Sequence, residues 1–293
     1  MYWLGLTLFC AFALATADAL TKKFLSGLTA HELVVVRFVL TGLLLVPVLA
    51  GQPLPALAPA LWGWLAVLLP LEITAMFLYM AAIRSSPLAL TLPYLAFTPV
   101  FSMLLGFLLL GEQVTATGFA GIALVTAGAW TLNAERATGW NRAALLAPLR
   151  AIVEERGSRL MLVVSALYGV TSVLGKGALR HAPGEFFGAF YFVFLGLVVL
   201  LLYAFWQPRT VTALWRHPLP AVAVGVAMAV MVVTHFMALE QVEVAYMISV
   251  KRTSLLFGIL YGALLFGEPR LLQHLAAGSL MVAGVVLIAT GSP

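Results

Sequence analysis

The chain has 293 residues, of which 63% are hydrophobic and 9% charged, with a mean hydropathy of +1.06. Soluble domains carry about 25% charged residues, so this composition excludes a water-soluble globule and defines a membrane-embedded protein. The net charge of +5 does not point to nucleic acid as a partner, because the basic residues are scattered between apolar runs and form no stripe.

A helix needs about 20 apolar residues to cross the hydrocarbon, and about ten such windows recur along the chain. They run from Tyr2 to Leu20, His31 to Ala50, Ala60 to Ile83, Pro87 to Leu110, Thr115 to Leu132, Leu160 to Leu179, Glu185 to Trp206, Pro218 to Leu239, Val244 to Phe266 and Leu271 to Thr290. The first has no Lys or Arg ahead of it and Lys22 and Lys23 behind it, which fits a retained span and not a cleaved signal. It holds the single cysteine, Cys10, so neither a disulfide framework nor a cysteine metal cluster is available. Short connections such as Gly51 to Pro55 and Gly267 to Pro269 carry the Pro and Gly punctuation and leave little mass for a soluble domain. The expected fold is an all-α membrane bundle.

A longer connection, Asn133 to Arg159, divides the chain. Trp140, Leu145, Leu149, Ile152 and Val153 recur there at near-helical spacing among Arg142, Arg150, Glu154, Glu155 and Arg156. A helix lying on the membrane surface uses that pattern, and a solvated linker interrupted by Pro148 fits it as well. The division expected is a five-helix repeat over residues 1–133, a linker over 134–158 and a second five-helix repeat over 159–293.

The two halves resemble each other. A shift of 156 positions places Ala89 on Ala245, Gly106 on Gly262, Leu109 on Leu265, Gly111 on Gly267, Glu112 on Glu268 and Ala127-Gly128 on Ala283-Gly284, while Leu20, Lys22 and Leu25 match Leu174, Lys176 and Leu179 at a shift of 154. Halves with an odd number of spans enter the bilayer in opposite senses, the inverted repeat of many secondary transporters, with the binding site near the midplane between them.

The repeated apolar run ending in Gly-Glu, FSMLLGFLLLGE and LLFGILYGALLFGE, followed by a Gly-rich helix, resembles the EamA-type branch of the drug/metabolite transporter superfamily. The Arg-Phe element in ELVVVRF, from Glu32 to Phe38, is similar to one in that family's second helix. The resemblance covers essentially the whole chain. It implies an exporter or exchanger driven by proton or substrate gradients, multi-pass in a bacterial inner (plasma) membrane. The superfamily's cargo spans amino acids, other metabolites, drugs, nucleotide sugars and lipid-linked sugars.

Basic residues fall on one side. Lys22, Lys23, Arg84, Arg136, Arg142, Arg150, Arg156, Arg159, Arg209, Arg216 and Arg270 follow odd-numbered spans, and Arg180 follows an even one. The positive-inside rule puts the odd connections in the cytoplasm and both termini outside.

A cation at the membrane centre costs ~3 kcal/mol on insertion scales and persists when it faces a partner, cavity or substrate. Lys251 and Arg252 lie side by side within the ninth window, as a substrate site or as a structural pair with Glu240 or Glu243. Glu72 is central in the third window with no basic residue within one turn, which suits a proton-coupling carboxylate, and a bridge from it to Lys251 or Arg252 would link the halves. His235 is the histidine well inside an apolar run, either a proton sensor or a packed ring. Arg37 near the start of the second window, Asp18 at i, i+4 spacing from Lys22, and Lys176 among small residues are candidates for coupling, gating or interface anchoring. Tyr79, Tyr94, Tyr191 and Tyr246 either line a cavity or pack.

Other chemistries lack their residues. His31-Glu32 opens like a zinc-protease motif, but position 35 is Val and not the second His. There is no P-loop, Gly-Xaa-Ser-Xaa-Gly elbow or cysteine–histidine metal pattern, so no cofactor or metal is expected. The reading is a non-enzymatic secondary transporter, monomeric or homodimeric, that moves a small polar metabolite such as an amino acid or organic anion, in contact with membrane lipid. Lys251, Arg252, Glu72, Tyr79, Tyr94 and Tyr246 are its expected substrate site. Flipping of lipid-linked sugars or polyprenyl phosphates, multidrug efflux, and a membrane enzyme or structural subunit are the alternatives.

Overall fold

The computed structural model describes residues 2–53, 55, 57–85, 92–138, 154–266 and 275–292. Trp140, Arg142, Leu145, Pro148, Leu149, Arg150, Ile152, Val153, Glu268 and Arg270 lie outside them. Between turns and short connections the described residues are helical, with no strand among them.

The helices are α1 (Tyr2–Phe24), α2 (Ala30–Ala50), α3 (Pro59–Ser85), α4 (Thr98–Leu110), α5 (Ala116–Thr138), α6 (Arg156–Leu179), α7 (Gly184–Trp206), α8 (Pro218–Gln241), α9 (Val244–Lys251), α10 (Ser254–Phe266) and α11 (Leu275–Gly291). Two short helical turns, Pro208–Val211 and Ala213–Arg216, join α7 to α8. Among the described residues, seven apolar helical stretches are long enough to cross a membrane, the last running through α9 into α10, and the segments Tyr94–Leu110, Ala116–Thr131 and Gly278–Gly291 are apolar but shorter. The fifth and sixth helices reach further into the central connection than their windows, to Thr138 and back to Arg156.

Several ends follow from local chemistry. Thr29 and Glu32 form a reciprocal capping box at the start of α2, satisfying two amides that have no partner inside the helix. At the end of α4, Gly111 adopts φ 69° and the Glu112 amide bonds back to the Gly106 carbonyl at 3.1 Å. A residue with a Cβ resists that left-handed conformation, which is why Gly suits position 111 before Glu112.

Two helices are interrupted. A π-turn from Val36 to Leu40 lies inside α2 and contains Arg37. The ninth window, read as one span, is broken at Arg252 and Thr253 into α9 and α10. In the first half a 3-10 turn, Leu92–Phe97, precedes α4. Helices α4 and α10 begin 156 positions apart, at Thr98 and Ser254.

Packing repeats with the halves exchanged. Helix α1 packs on α8 and α10, and its counterpart α6 packs on α3 and α4; α7 touches α8 as α2 touches α3. The pairs α5 with α11, α2 with α7 and α4 with α9 join one half to the other. The α5–α11 contact is backbone-close, since a Cβ on Gly121 would stand 2.7 Å from the Gly284 carbonyl and one on Gly284 2.7 Å from that of Gly121. Small residues at such crossings let dispersion forces act where lipid supplies no hydrophobic drive.

Candidate functional site

A cavity of about 540 Å³ lies between the halves. Its wall takes Leu14, Asp18 and Lys22 from α1, Leu33 and Arg37 from α2, Leu68, Glu72, Met76 and Tyr79 from α3, and Tyr168 and Thr171 from α6. Helices α7 and α8 add Tyr191, Phe192, Met231 and His235, and the broken ninth span adds Ile248, Lys251, Arg252 and Ser254. The lining reaches Lys22 and Ser26, both exposed, at the C-terminal end of α1. Side chains near the chain termini, such as Glu112 and Lys176, do not line it.

The basic pair lies where the ninth span breaks, Lys251 closing α9 and Arg252 opening the turn after it. Both side chains line the cavity. The Lys251 ammonium lies 3.3 Å from His235 Nδ1 and 3.6 Å from Met231 Sδ. When Lys251 donates to Nδ1, the His235 ring is neutral and keeps its proton on Nε2. Arg252 is 6% exposed and its Nε is buried with no hydrogen-bond partner.

Glu72 shares the cavity, next to Thr171. The expected bridge from Glu72 to Lys251 or Arg252 is not formed, and neither cation pairs with Glu240 or Glu243; among the described residues no carboxylate lies within 4.0 Å of either. The reason is geometric, because α3 and the ninth span stand on opposite sides of a hollow.

Arg37 is 1% exposed. It bonds Asp18 at 2.5 Å and Thr21 Oγ1 at 3.0 Å, and the Tyr79 hydroxyl donates to the other Asp18 oxygen at 3.4 Å. Thr41 donates to the Arg37 carbonyl one turn on, taking up an acceptor in the disturbed π-turn.

Three expected residues are elsewhere. Tyr94 packs edge-on to Trp130 at 5.9 Å and is not in the cavity wall. The Tyr246 hydroxyl accepts from the Thr115 amide at 2.8 Å, so it ties α9 to the loop after α4 and faces no cavity. Both are tyrosines whose hydroxyl or ring is used in packing, which helical spacing alone does not reveal. Lys176 forms an ion pair with Glu112 at 2.7 Å.

Two contributors escaped sequence reading. Tyr168 lies in the wall with its ring 6.2 Å from that of Tyr79. Glu112 stood out as a repeat marker, but its partners come from distant parts of the chain and left no local signal.

This is an integral, multi-pass membrane bundle with a charged cavity between two similar halves. The chain belongs to the EamA-like transporter family, whose family model matches residues 1–134 and 156–290. The comparison with curated proteins gives no match. A solved structure described only as "Crystal structure of protein" is 18% identical with a TM-score of 0.70, over 99% of this chain and 96% of that one. At that identity the likeness shows the fold alone.

Proposed function

We propose that the chain is a secondary active transporter, an exporter or exchanger, that moves a small polar metabolite such as an amino acid or organic anion by alternating access. Its apolar segments form ten spans in two inverted five-helix halves, set in a bacterial inner membrane. The observation that carries this reading is the basic pair at the broken ninth span, lining a hollow between the halves with no carboxylate among the described residues within 4.0 Å of either. Discontinuous helices at the repeat interface are where transporters hold charged cargo. Lys251 and Arg252 grip a carboxylate or phosphate, Arg252 as a planar fork and Lys251 as a point charge. Glu72 binds a proton or the cargo's ammonium group.

The basic residues after odd-numbered spans put the cavity's Lys22 end toward the cytoplasm. Flux into proteoliposomes, with and without an imposed pH gradient, tests the assignment. Lys251→Ala and Arg252→Ala each lower uptake at least tenfold, and Glu72→Gln removes its dependence on the proton gradient. Unchanged flux in all three variants overturns it.

A second reading, multidrug efflux, draws on the wall itself. Met76, Met228 and Met231 with Tyr79, Tyr168, Phe192 and Phe236 make an adaptable apolar surface around the charges. Competition of anionic and cationic amphiphiles with the metabolite flux separates the two readings.

A further inference from the structure

The loop after α4 carries a second charged arrangement, outside the cavity. The Glu112 carboxylate pairs with Lys176 at 2.7 Å on one oxygen and accepts the Val244 amide at 2.9 Å on the other. Lys176 also donates to the Val242 carbonyl at 2.6 Å. Three residues on, the Thr115 amide donates to Tyr246 Oη at 2.8 Å, and the Thr115 hydroxyl donates to the Gly291 carbonyl at 2.8 Å. Arg180 adds a bond to the Leu110 carbonyl at 3.0 Å. One short loop of the first half is thus bound to α6, α9 and α11 of the second.

The arrangement is built for that loop position. Gly111 turns the chain so that Glu112 folds back over α4, and a Cβ at Gly106 would come within 2.9 Å of Glu112 Oε2. The carboxylate meets the first amide of α9, where backbone N–H groups have no partner within the helix and the helix dipole favours negative charge. The side chains of Glu112 and Lys176 are 10% and 18% exposed. The bonds are therefore partly shielded from water.

Helix α9 joins this arrangement to the cavity. It is eight residues long, from Val244 held by Glu112 to Lys251 in the cavity wall. Every residue from Val244 to Val250 is buried. Packed interiors do not deform smoothly, so a rigid segment tied at one end and charged at the other moves as a unit.

We propose that the Glu112–Lys176 clasp is the gate closing the cavity toward the chain termini, and that α9 is the lever joining it to the basic pair. The proposal rests on the transporter reading above. Passage to the termini side requires the carboxylate to leave both Lys176 and the Val244 amide. Anionic cargo on Lys251 and Arg252 reaches that contact through α9 without touching it.

Ser172 is a cavity residue one helical turn before Lys176, so a cysteine there reports access just beneath the clasp. In a Cys10→Ala, Ser172→Cys parent, reconstituted in vesicles sorted for orientation by a C-terminal tag, a charged, membrane-impermeant methanethiosulfonate is added from the termini side. The parent reacts slowly. Glu112→Gln and Lys176→Met each raise the rate at least tenfold, and Lys176→Arg returns it to within threefold of the parent. A purely structural contact would lower the unfolding temperature of these variants and leave the rate alone. Rates equal to the parent's in folded Glu112→Gln and Lys176→Met overturn the gate. If Glu112→Gln does not fold, the contrast between Lys176→Met and Lys176→Arg decides. The labelling needs no cargo, so a parent without measurable flux would count against the transporter reading and not against the clasp.

Discussion

Arg37 and Asp18 form an unequal pair: the guanidinium side chain is 2% exposed while the carboxylate, 2.5 Å away, is 36% exposed and faces the cavity. Removing one partner of a buried ion pair costs about 3–5 kcal/mol because the other is left as an uncompensated charge. Here the two removals differ. Asp18→Ala leaves a cation that is almost fully buried with Thr21 Oγ1 as its remaining side-chain partner, whereas Arg37→Met leaves a carboxylate that is well exposed to the hollow. Thermal unfolding in detergent is expected to show Asp18→Ala as the more damaging change by at least 1–2 kcal/mol, on the order of half a buried-pair penalty. Equal losses would mean that Asp18 is not wet.

Arg252→Lys keeps the charge and loses the planar fork. Ammonium and guanidinium are not interchangeable where a flat anion is gripped, and a lost charge-assisted bond is worth about 1.5–3 kcal/mol. The expected result is a rise of about tenfold or more in the concentration needed for half-maximal uptake, with maximal flux less affected. A conservative variant that behaves like the parent would place the cargo's charge on Lys251 alone.

Glycine positions make an internal control for the helix crossings. Gly121→Leu and Gly284→Leu push a side chain into the facing backbone, where even a Cβ would be 2.7 Å from a carbonyl oxygen. Overpacking of this kind costs about 1–3 kcal/mol or more, and both variants are expected to unfold at clearly lower temperature. A methyl group on Gly5 would meet nothing within 4 Å, so Gly5→Ala is expected to leave the unfolding temperature unchanged or slightly higher.

Gly111→Ala tests the turn that aims Glu112. A Cβ in the left-handed region costs about 1–2 kcal/mol, and its effect should reach the cavity's far end as faster thiol labelling of the Ser172→Cys parent from the termini side. Loss of stability without that change in labelling would leave Gly111 as a helix stop and nothing more.

Much of the architecture could be read from hydropathy and the Gly-Glu repeat, because apolar length and a shift of 156 positions survive averaging over windows. The helix breaks did not, since a window that spans Val244 to Phe266 counts Lys251 and Arg252 as two polar residues in an apolar mean and is blind to backbone angle. The basic pair stood out for the cost of charge in hydrocarbon, and Glu72 and His235 for the same reason; all four reach the cavity wall. Tyr94 and Tyr246 did not follow, because a tyrosine's role depends on where its hydroxyl finds a partner, and for Tyr246 that partner is an amide 131 residues away. Glu112 was visible as a motif, yet its contacts with Lys176 and Val244 are ones that no local pattern encodes.

The π-turn at Val36–Leu40 also sets which way the rest of α2 looks. One residue more than an ordinary turn advances everything after it by about 100° around the axis. With that offset Gly42 and Leu45 are buried while Leu43, Val46 and Val48 meet the surroundings, 57%, 44% and 41% exposed. Deleting Val39 would undo the offset, rotating a greasy outer stripe into the seam with α7, where a Cβ on Gly42 would already lie 2.7 Å from the Phe192 carbonyl. The single extra residue acts as a phase shifter: it lets one continuous rod present a cation inward near one end and glycine to a neighbour nearer the other.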